Sequence, residues 1–325
     1  MGFRARRGEA LLLALGVLGA VLLAEGAARL ADAGAAGTGY APVNTKRRWR
    51  GPTNSLGYRD RERSRAKPAG TRRVVALGDS FAWGVGVEFE DAWPQRLERG
   101  LARRRGGTWE VVNLSREGMN TVEQAEQLAT EGLAYEPDLV VLGYCLNDSE
   151  DEDAAETRRA RDWEDLRRER QSRPDGFLDH SALYRLVSGR IRATVENRRR
   201  IAAYRSQYAP GYPGWTAARE AFRRMAELTA EREVPLVVMV FPLFGNPLDE
   251  RYPFAEIHAA VARAAGEAGA RVVDLLPAYR GLNWEVLVVD GANDEHPNEV
   301  AHRIAASVLL PALDEVLPPE AGGLP

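Results

Sequence analysis

Short apolar runs alternate with longer amphipathic stretches along most of this chain. Runs rich in apolar and β-branched residues stand at Val74 to Leu77, Trp109 to Leu114, Leu139 to Gly143, Pro235 to Phe241 and Arg271 to Asp274. Their length and composition predict strands buried in a sheet. Between them, helical periodicity is present near Trp93 to Arg104, Thr121 to Leu133, Trp215 to Arg232, Pro253 to Gly266 and Glu299 to Leu313. This alternation predicts an α/β fold: a parallel five-stranded sheet with helices on both faces, in three α/β/α layers. Right-handed crossovers and a flavodoxin-like strand order would bring the loops after the strands to one edge. About 250 residues suffice for one domain with a substantial core.

The pattern breaks twice. Between Ser149 and Gln207 an acidic start, Glu150-Asp151-Glu152-Asp153, leads into arginine-rich helical sequence through Arg198-Arg199-Arg200. We read this as an insertion at about 149–207 into a domain spanning 71–318, followed by a tail at 319–325. Its charged amphipathic helices either cap the mouth of a site or form a solvated hairpin with no role.

The amino terminus is the second break. Arg4, Arg6 and Arg7 precede an uncharged apolar stretch from Ala10 to Ala24, and Glu25, Arg29 and Asp32 follow. A positive flank and an apolar run predict a signal peptide or signal anchor over 1–33. The run covers roughly 22 Å at ~1.5 Å per residue, short of a ~30 Å hydrocarbon layer unless residues to about Leu30 join the helix. No sharp small-x-small site follows the run at once and Ala31-Asp32-Ala33 is late, which favours an uncleaved anchor with the remaining domain outside the cytoplasm. The Ala33 to Gly39 stretch then opens a tether and lead-in over 34–70.

Composition changes little in this picture. The formal net charge is −3 and arginine carries nearly all positive charge, Lys46 and Lys67 being the only lysines, so the arginines do not argue for nucleic acid. The single cysteine, Cys145, excludes an internal disulfide and reads as a buried, inert thiol. His180 and His258 read as surface residues. His302 follows His296 at a spacing that gives neither a one-face pair nor the thiolates of familiar zinc sites, so no metal is expected.

Four strand ends carry candidate chemistry. Leu77-Gly78-Asp79-Ser80 places a serine between a buried strand and the start of a helix, where free backbone N–H groups stabilise negative charge. Alone, such a serine reads better as a helix N-cap than as a nucleophile. Val111 to Thr121 brings a second strand to Gly118, whose N–H is unhindered. Leu139 to Asp148 brings a third to Asn147, a side-chain donor. Asp294-Glu295-His296-Pro297-Asn298 sets a carboxylate and an imidazole on one loop. Serine needs a base in hydrogen-bond reach, and imidazole is the side chain matched to that task at neutral pH. A Gly-x-Ser-x-Gly elbow of the α/β-hydrolase type nearly fits Gly78 to Ala82 but fails on arrangement, since no strands precede it and acid and histidine stand together.

These four blocks resemble the SGNH or GDSL hydrolase family, over roughly Asn54 to Leu313. Asn54-Ser55-Leu56-Gly57-Tyr58-Arg59 and the Trp215 helix resemble a bacterial, envelope-associated branch. The resemblance implies Ser80 as nucleophile, His296 as base, and an oxyanion hole of the Ser80 and Gly118 amides with the Asn147 side chain. The family's Asp-x-x-His spacing falls on Asn293 here, so the carboxylates available to His296 are Asp294 and Asp290, with Asp294 preferred as the nearer. A serine esterase acting on oxygen esters of envelope polysaccharide or lipid is the expected function, without cofactor and with the membrane as a partner. The alternatives are an O-acyltransferase with the same triad and a catalytically silent carbohydrate-binding module.

Overall fold

The computed structural model describes residues 2–37, 52–150, 177–290 and 294–318. Part of the tether (38–51), the first part of the insertion (151–176), Asn293 and the 319–325 tail lie outside the described residues. The chain divides into two compact units, one of residues 1–41 and 156–200, the other of 42–155 and 201–325.

The first unit contains helix α1, Gly2–Gly37. The flanking residues do join the apolar run in one helix, and its segment Leu12–Ala31 is long and apolar enough to cross a membrane. The second unit begins its sheet with β1 (Thr71–Gly78), which runs into the one-turn helix α2 (Ser80–Trp83) and then α3 (Trp93–Arg105). Next come β2 (Thr108–Asn113), α4 (Thr121–Thr130) and β3 (Leu139–Tyr144). Helix α5 (Ala182–Gln207) starts in the first unit and ends in the second. Then follow α6 (Pro213–Ala230), β4 (Leu236–Val240), α7 (Ala255–Glu267), β5 (Arg271–Asp274) and α8 (Leu276–Tyr279). A two-stranded ribbon, β6 (Val288–Asp290) and β7 (Asp294–Pro297), precedes α9 (Glu299–Leu313).

The five long strands form one parallel sheet in the order β2-β1-β3-β4-β5. That is the flavodoxin-like order expected when the chain starts near the centre and reverses direction once. Helices α3 and α9 pack together, while α4, α6 and α7 contact one another in series, giving the three layers. Covered on both faces, the central strands are apolar at nearly every position: Val74 to Leu77, Leu139 to Leu142 and Val237 to Val240 are wholly buried. Each predicted strand is present with its ends shifted by at most a few residues. Helix α4 is shorter than the periodicity suggests, because the chain tightens into a 3-10 turn at Gly132–Tyr135.

The reversal between β1 and β3 positions the site. Register Gly78↔Gly143 aligns the carboxyl ends of these strands, and β2 runs beside β1 with Ala76↔Asn113. The segments that follow β1, β2 and β3 therefore emerge side by side.

Candidate active site

Gly78 ends β1 at φ +149, a conformation that L side chains rarely adopt. A Cβ there would stand 2.7 Å from the Ala82 Cβ and 2.8 Å from the Gly143 carbonyl oxygen, so the turn into α2 requires glycine. Asp79, not the serine, caps that helix: its Oδ1 accepts from the Phe81 amide at 2.9 Å. Ser80 is the first helical residue, and its own amide has no intrahelical acceptor. Its hydroxyl donates to Asp79 Oδ2 at 3.3 Å.

Gly118 lies in the exposed turn after β2 at φ +77, the left-handed region. The turn is closed by a reciprocal cap on α4, in which Glu123 N donates to Asn120 Oδ1 at 3.0 Å and Asn120 N to Glu123 Oε2 at 2.8 Å. Asn147 stands in the 3-10 turn Leu146–Ser149 after β3. That turn is tied to α4 through Thr121 Oγ1, which donates to the Asp148 carbonyl, and Gln124 Nε2, which donates to Asp148 Oδ2, both at 3.2 Å. The Asn147 side-chain amide also favours the ionised form of the Asp79 carboxylate. One buried carboxylate thus holds the Ser80 hydroxyl and feels the Asn147 side chain. Burial pushes the Asp79 carboxyl above its ordinary range, and burial with the neighbouring Asp79 charge raises Asp148 well above its own.

His296 differs from the expected loop residue: it lies on β7, paired antiparallel with β6. In a strand, residues two apart point to the same side, which brings Asp294 onto the face of the imidazole. Asp294 Oδ1 is 2.6 Å from His296 Nδ1 and accepts from the His296 amide at 3.0 Å. Two hydrogen bonds from one residue to one oxygen fix both ring and carboxylate. The imidazole also stands edge-on to Phe81, the residue after Ser80, with ring centroids 5.7 Å apart. Burial favours neutral imidazole, but the Asp294 hydrogen bond and charge, helped by Asp79 and Glu117, outweigh it and raise His296 above its usual value. The same contact overcomes burial at Asp294 and holds that carboxyl below its ordinary range. Asp290 stands opposite Asp294 across the ribbon.

The other singled-out residues go elsewhere. His302 is wholly buried on α9, where its Nδ1 accepts from the Trp93 amide at 3.3 Å; burial lowers its pKa to about 3 and keeps it neutral. His258 is not a surface residue. It is buried on α7 with Nδ1 2.7 Å from Asp274 Oδ1, because the apolar face of α7 packs on the end of β5 and the imidazole needs a partner there. His180 is exposed. Cys145 is a buried free thiol, pushed well above its ordinary pKa by burial.

A supporting set has no counterpart in the four motifs. Arg59 is almost wholly buried, and its guanidinium donates to the carbonyls of Trp83 (2.8 Å), Gly84 and Val87 (2.7 Å). These are the carbonyls at and just beyond the end of α2, the helix that Ser80 begins. Asn113, at the end of β2, donates from its side chain to Ala82 O at 3.2 Å, and its amide donates to Asp60 Oδ2 at 3.0 Å. Residues 59 and 60 therefore lock the helix of Ser80 to the lead-in segment and to β2. Burial lowers the Arg59 pKa to about 9, against Glu88 and Glu117. The Asn54-to-Arg59 stretch was visible in the sequence, but its role as a clamp depends on contacts more than 20 residues away.

The site thus sets a serine at the carboxyl end of a central parallel strand with a histidine–carboxylate pair beside its helix. The profile of the GDSL-like lipase/acylhydrolase family matches residues 76–304, and the chain belongs to that family. No curated protein matches the sequence. Similar solved structures include TesA, at 18% identity and a TM-score of 0.46, with 76% of this chain and 100% of that chain covered. A two-domain esterase active on acetylated mannans matches at 13% identity and a TM-score of 0.46; 76% of this chain covers 50% of that one. An acetylxylan esterase from Geobacillus stearothermophilus matches at 16% identity and a TM-score of 0.45, covering 74% of this chain and 94% of that chain.

Proposed function

We propose that this hydrolase is a membrane-tethered serine esterase that cleaves oxygen esters through an acyl-enzyme, with Ser80 as nucleophile, His296 as base and Asp294 as the orienting acid. The 2.6 Å contact between Asp294 Oδ1 and His296 Nδ1 carries the reading. It selects the tautomer with the proton on Nδ1 and leaves Nε2 as acceptor.

Ser80 Oγ attacks the ester carbonyl carbon while its proton passes to His296 Nε2. For this the hydroxyl turns from Asp79 toward the imidazole, a rotation open to a serine rotor once substrate is bound. Negative charge develops on the former carbonyl oxygen, where the amides of Ser80 and Gly118 and the Asn147 side chain donate. Collapse breaks the ester C–O bond, and the leaving alkoxide takes the proton from His296. Water then attacks the acyl-Ser80 with His296 again as base, releasing the acid and restoring the serine.

The substrate class in this proposal is acylated envelope polysaccharide or lipid, supported by the amino-terminal apolar helix, which would hold the enzyme where those esters lie. A fluorophosphonate probe should label Ser80, and turnover should appear on a panel of short- and long-chain esters and acetylated sugars. A folded protein that neither labels nor hydrolyses any of them would overturn the proposal.

Asn147 supplies a more specific expectation. Asn147→Ala should lower kcat roughly a hundred- to a thousand-fold with a smaller effect on KM, because the donor acts on charge that exists only in the transition state. A rise in KM with kcat unchanged would reassign Asn147 to substrate positioning.

A further inference from the structure

The first compact unit joins two apolar surfaces through one carboxylate. Glu25, in α1, accepts from Ser181 Oγ at 2.7 Å, Ala182 N at 3.0 Å and Leu183 N at 2.9 Å, so it caps the start of α5 from across the sequence. Arg29, one turn further along α1, donates to Glu25 at 2.7 Å and to the His180 carbonyl at 3.2 Å. A carboxylate within the apolar segment Leu12–Ala31 is costly unless its lone pairs are satisfied, and here they are. The two helices are tied at a defined depth: the uncharged run from Ala10 covers roughly 22 Å before Glu25, which sets the joint near the far boundary of a ~30 Å hydrocarbon layer.

From that joint α5 carries its own amphipathic pattern. Tyr184, Val187, Ile191 and Val195 recur at helical spacing along one side and are exposed, Ile191 to 58%. Arg185, Arg192 and Arg199, seven residues apart, run along the flank of that row. Between Ala182 and Arg200 the helix bears six arginines and one acidic residue, Glu196. An exposed apolar row, cationic flanks and a hydrogen-bonded joint to an exposed apolar helix share one solution, a single lipid surface.

We propose that α5 is an interfacial helix: its Tyr184, Val187, Ile191 and Val195 side lies in the headgroup boundary of the leaflet reached by the Glu25 end of α1. Its arginines meet anionic headgroups, and the Glu25 cap holds it there. This rests on the membrane-tethered reading above, and it makes α1 a retained part of the folded protein.

The test uses the full-length chain reconstituted into vesicles of phosphatidylcholine with and without phosphatidylglycerol. An NBD fluorophore is placed at Val187→Cys, Ile191→Cys or, as control, Arg192→Cys; the native Cys145 is buried. Vesicle flotation reports the anchor separately. Emission at positions 187 and 191 should be blue-shifted and quenched severalfold more by lipid-borne doxyl groups than at 192, with the larger shift on anionic vesicles. Glu25→Ala should still float but lose most of that quenching. Water-like emission at 187 and 191 in floating vesicles would overturn the proposal and leave the anchor standing. A blue shift without lipid quenching, accompanied by cross-linked dimers, would assign the row to a second copy and also overturn it. A chain that fails to float would remove both readings.

Discussion

Ser80→Ala should abolish ester hydrolysis, with a loss in kcat on the order of 10⁶-fold, and leave the fold intact. The two halves of that expectation have separate causes. The hydroxyl is the atom that forms the acyl bond, so no neighbour replaces it. Structurally it makes one hydrogen bond, to Asp79, whose removal costs about 1 kcal/mol. The helix that carries it is held independently, by the Asp79 cap on Phe81 and by Arg59 on the carbonyls of Trp83, Gly84 and Val87. His296→Ala should match the loss in turnover but lower stability more, since it strands the Asp294 carboxylate and removes the contact with Phe81. Turnover measured alongside circular dichroism and thermal unfolding separates the two effects. A folded Ser80→Ala protein with wild-type turnover would sink the mechanism.

Asp294→Asn should reduce kcat/KM by up to ~10⁴-fold, as expected when the imidazole is no longer held in the productive tautomer. Asp290→Asn and Asn293→Ala should do much less. A pH signature accompanies the rate. His296 acts as base only when neutral, and its pKa is raised in the folded enzyme, so kcat/KM should fall as pH drops through a value above 6.5. Removing the Asp294 charge takes away the main influence that raises the imidazole, while burial, which lowers it, remains. The acid limb of Asp294→Asn should therefore shift to lower pH at the same time as the plateau drops. An unshifted limb with a silent Asp294→Asn, and a damaging Asp290→Asn, would move the third member of the triad to Asp290.

The Asp79 carboxylate links these expectations to the oxyanion side of the site. It accepts from the Phe81 amide and the Ser80 hydroxyl, is acted on by Asn147, and adds its charge to those that raise His296. A change at Asp79 would disturb nucleophile, donor and base together. Single substitutions at Ser80, Asn147 and His296 are for that reason cleaner probes of the chemistry.

The chain's own periodicity determined the strands, the layers and the strand order. Burial on both faces writes itself into sequence as uninterrupted apolar runs such as Val237 to Val240, and right-handed crossovers leave few ways to arrange them. Ser80, Gly118 and Asn147 were singled out for one local reason, since each stands where a buried run gives way to polar sequence, and His296 for the carboxylate two residues before it. Tertiary structure alone decided the remainder. Sequence favoured Asp294 only as the carboxylate nearer to His296; their contact follows from the pairing of β7 with β6, because an extended strand puts residues two apart on one face. Arg59 is buried because the carbonyls of Trp83 to Val87 lie ready to receive it, and His258 because Asp274 does. Glu25 meets its partners more than 150 residues along the chain. Side-chain charge and local pattern are properties of a segment, whereas the partner that lets a charge be buried is chosen by the fold.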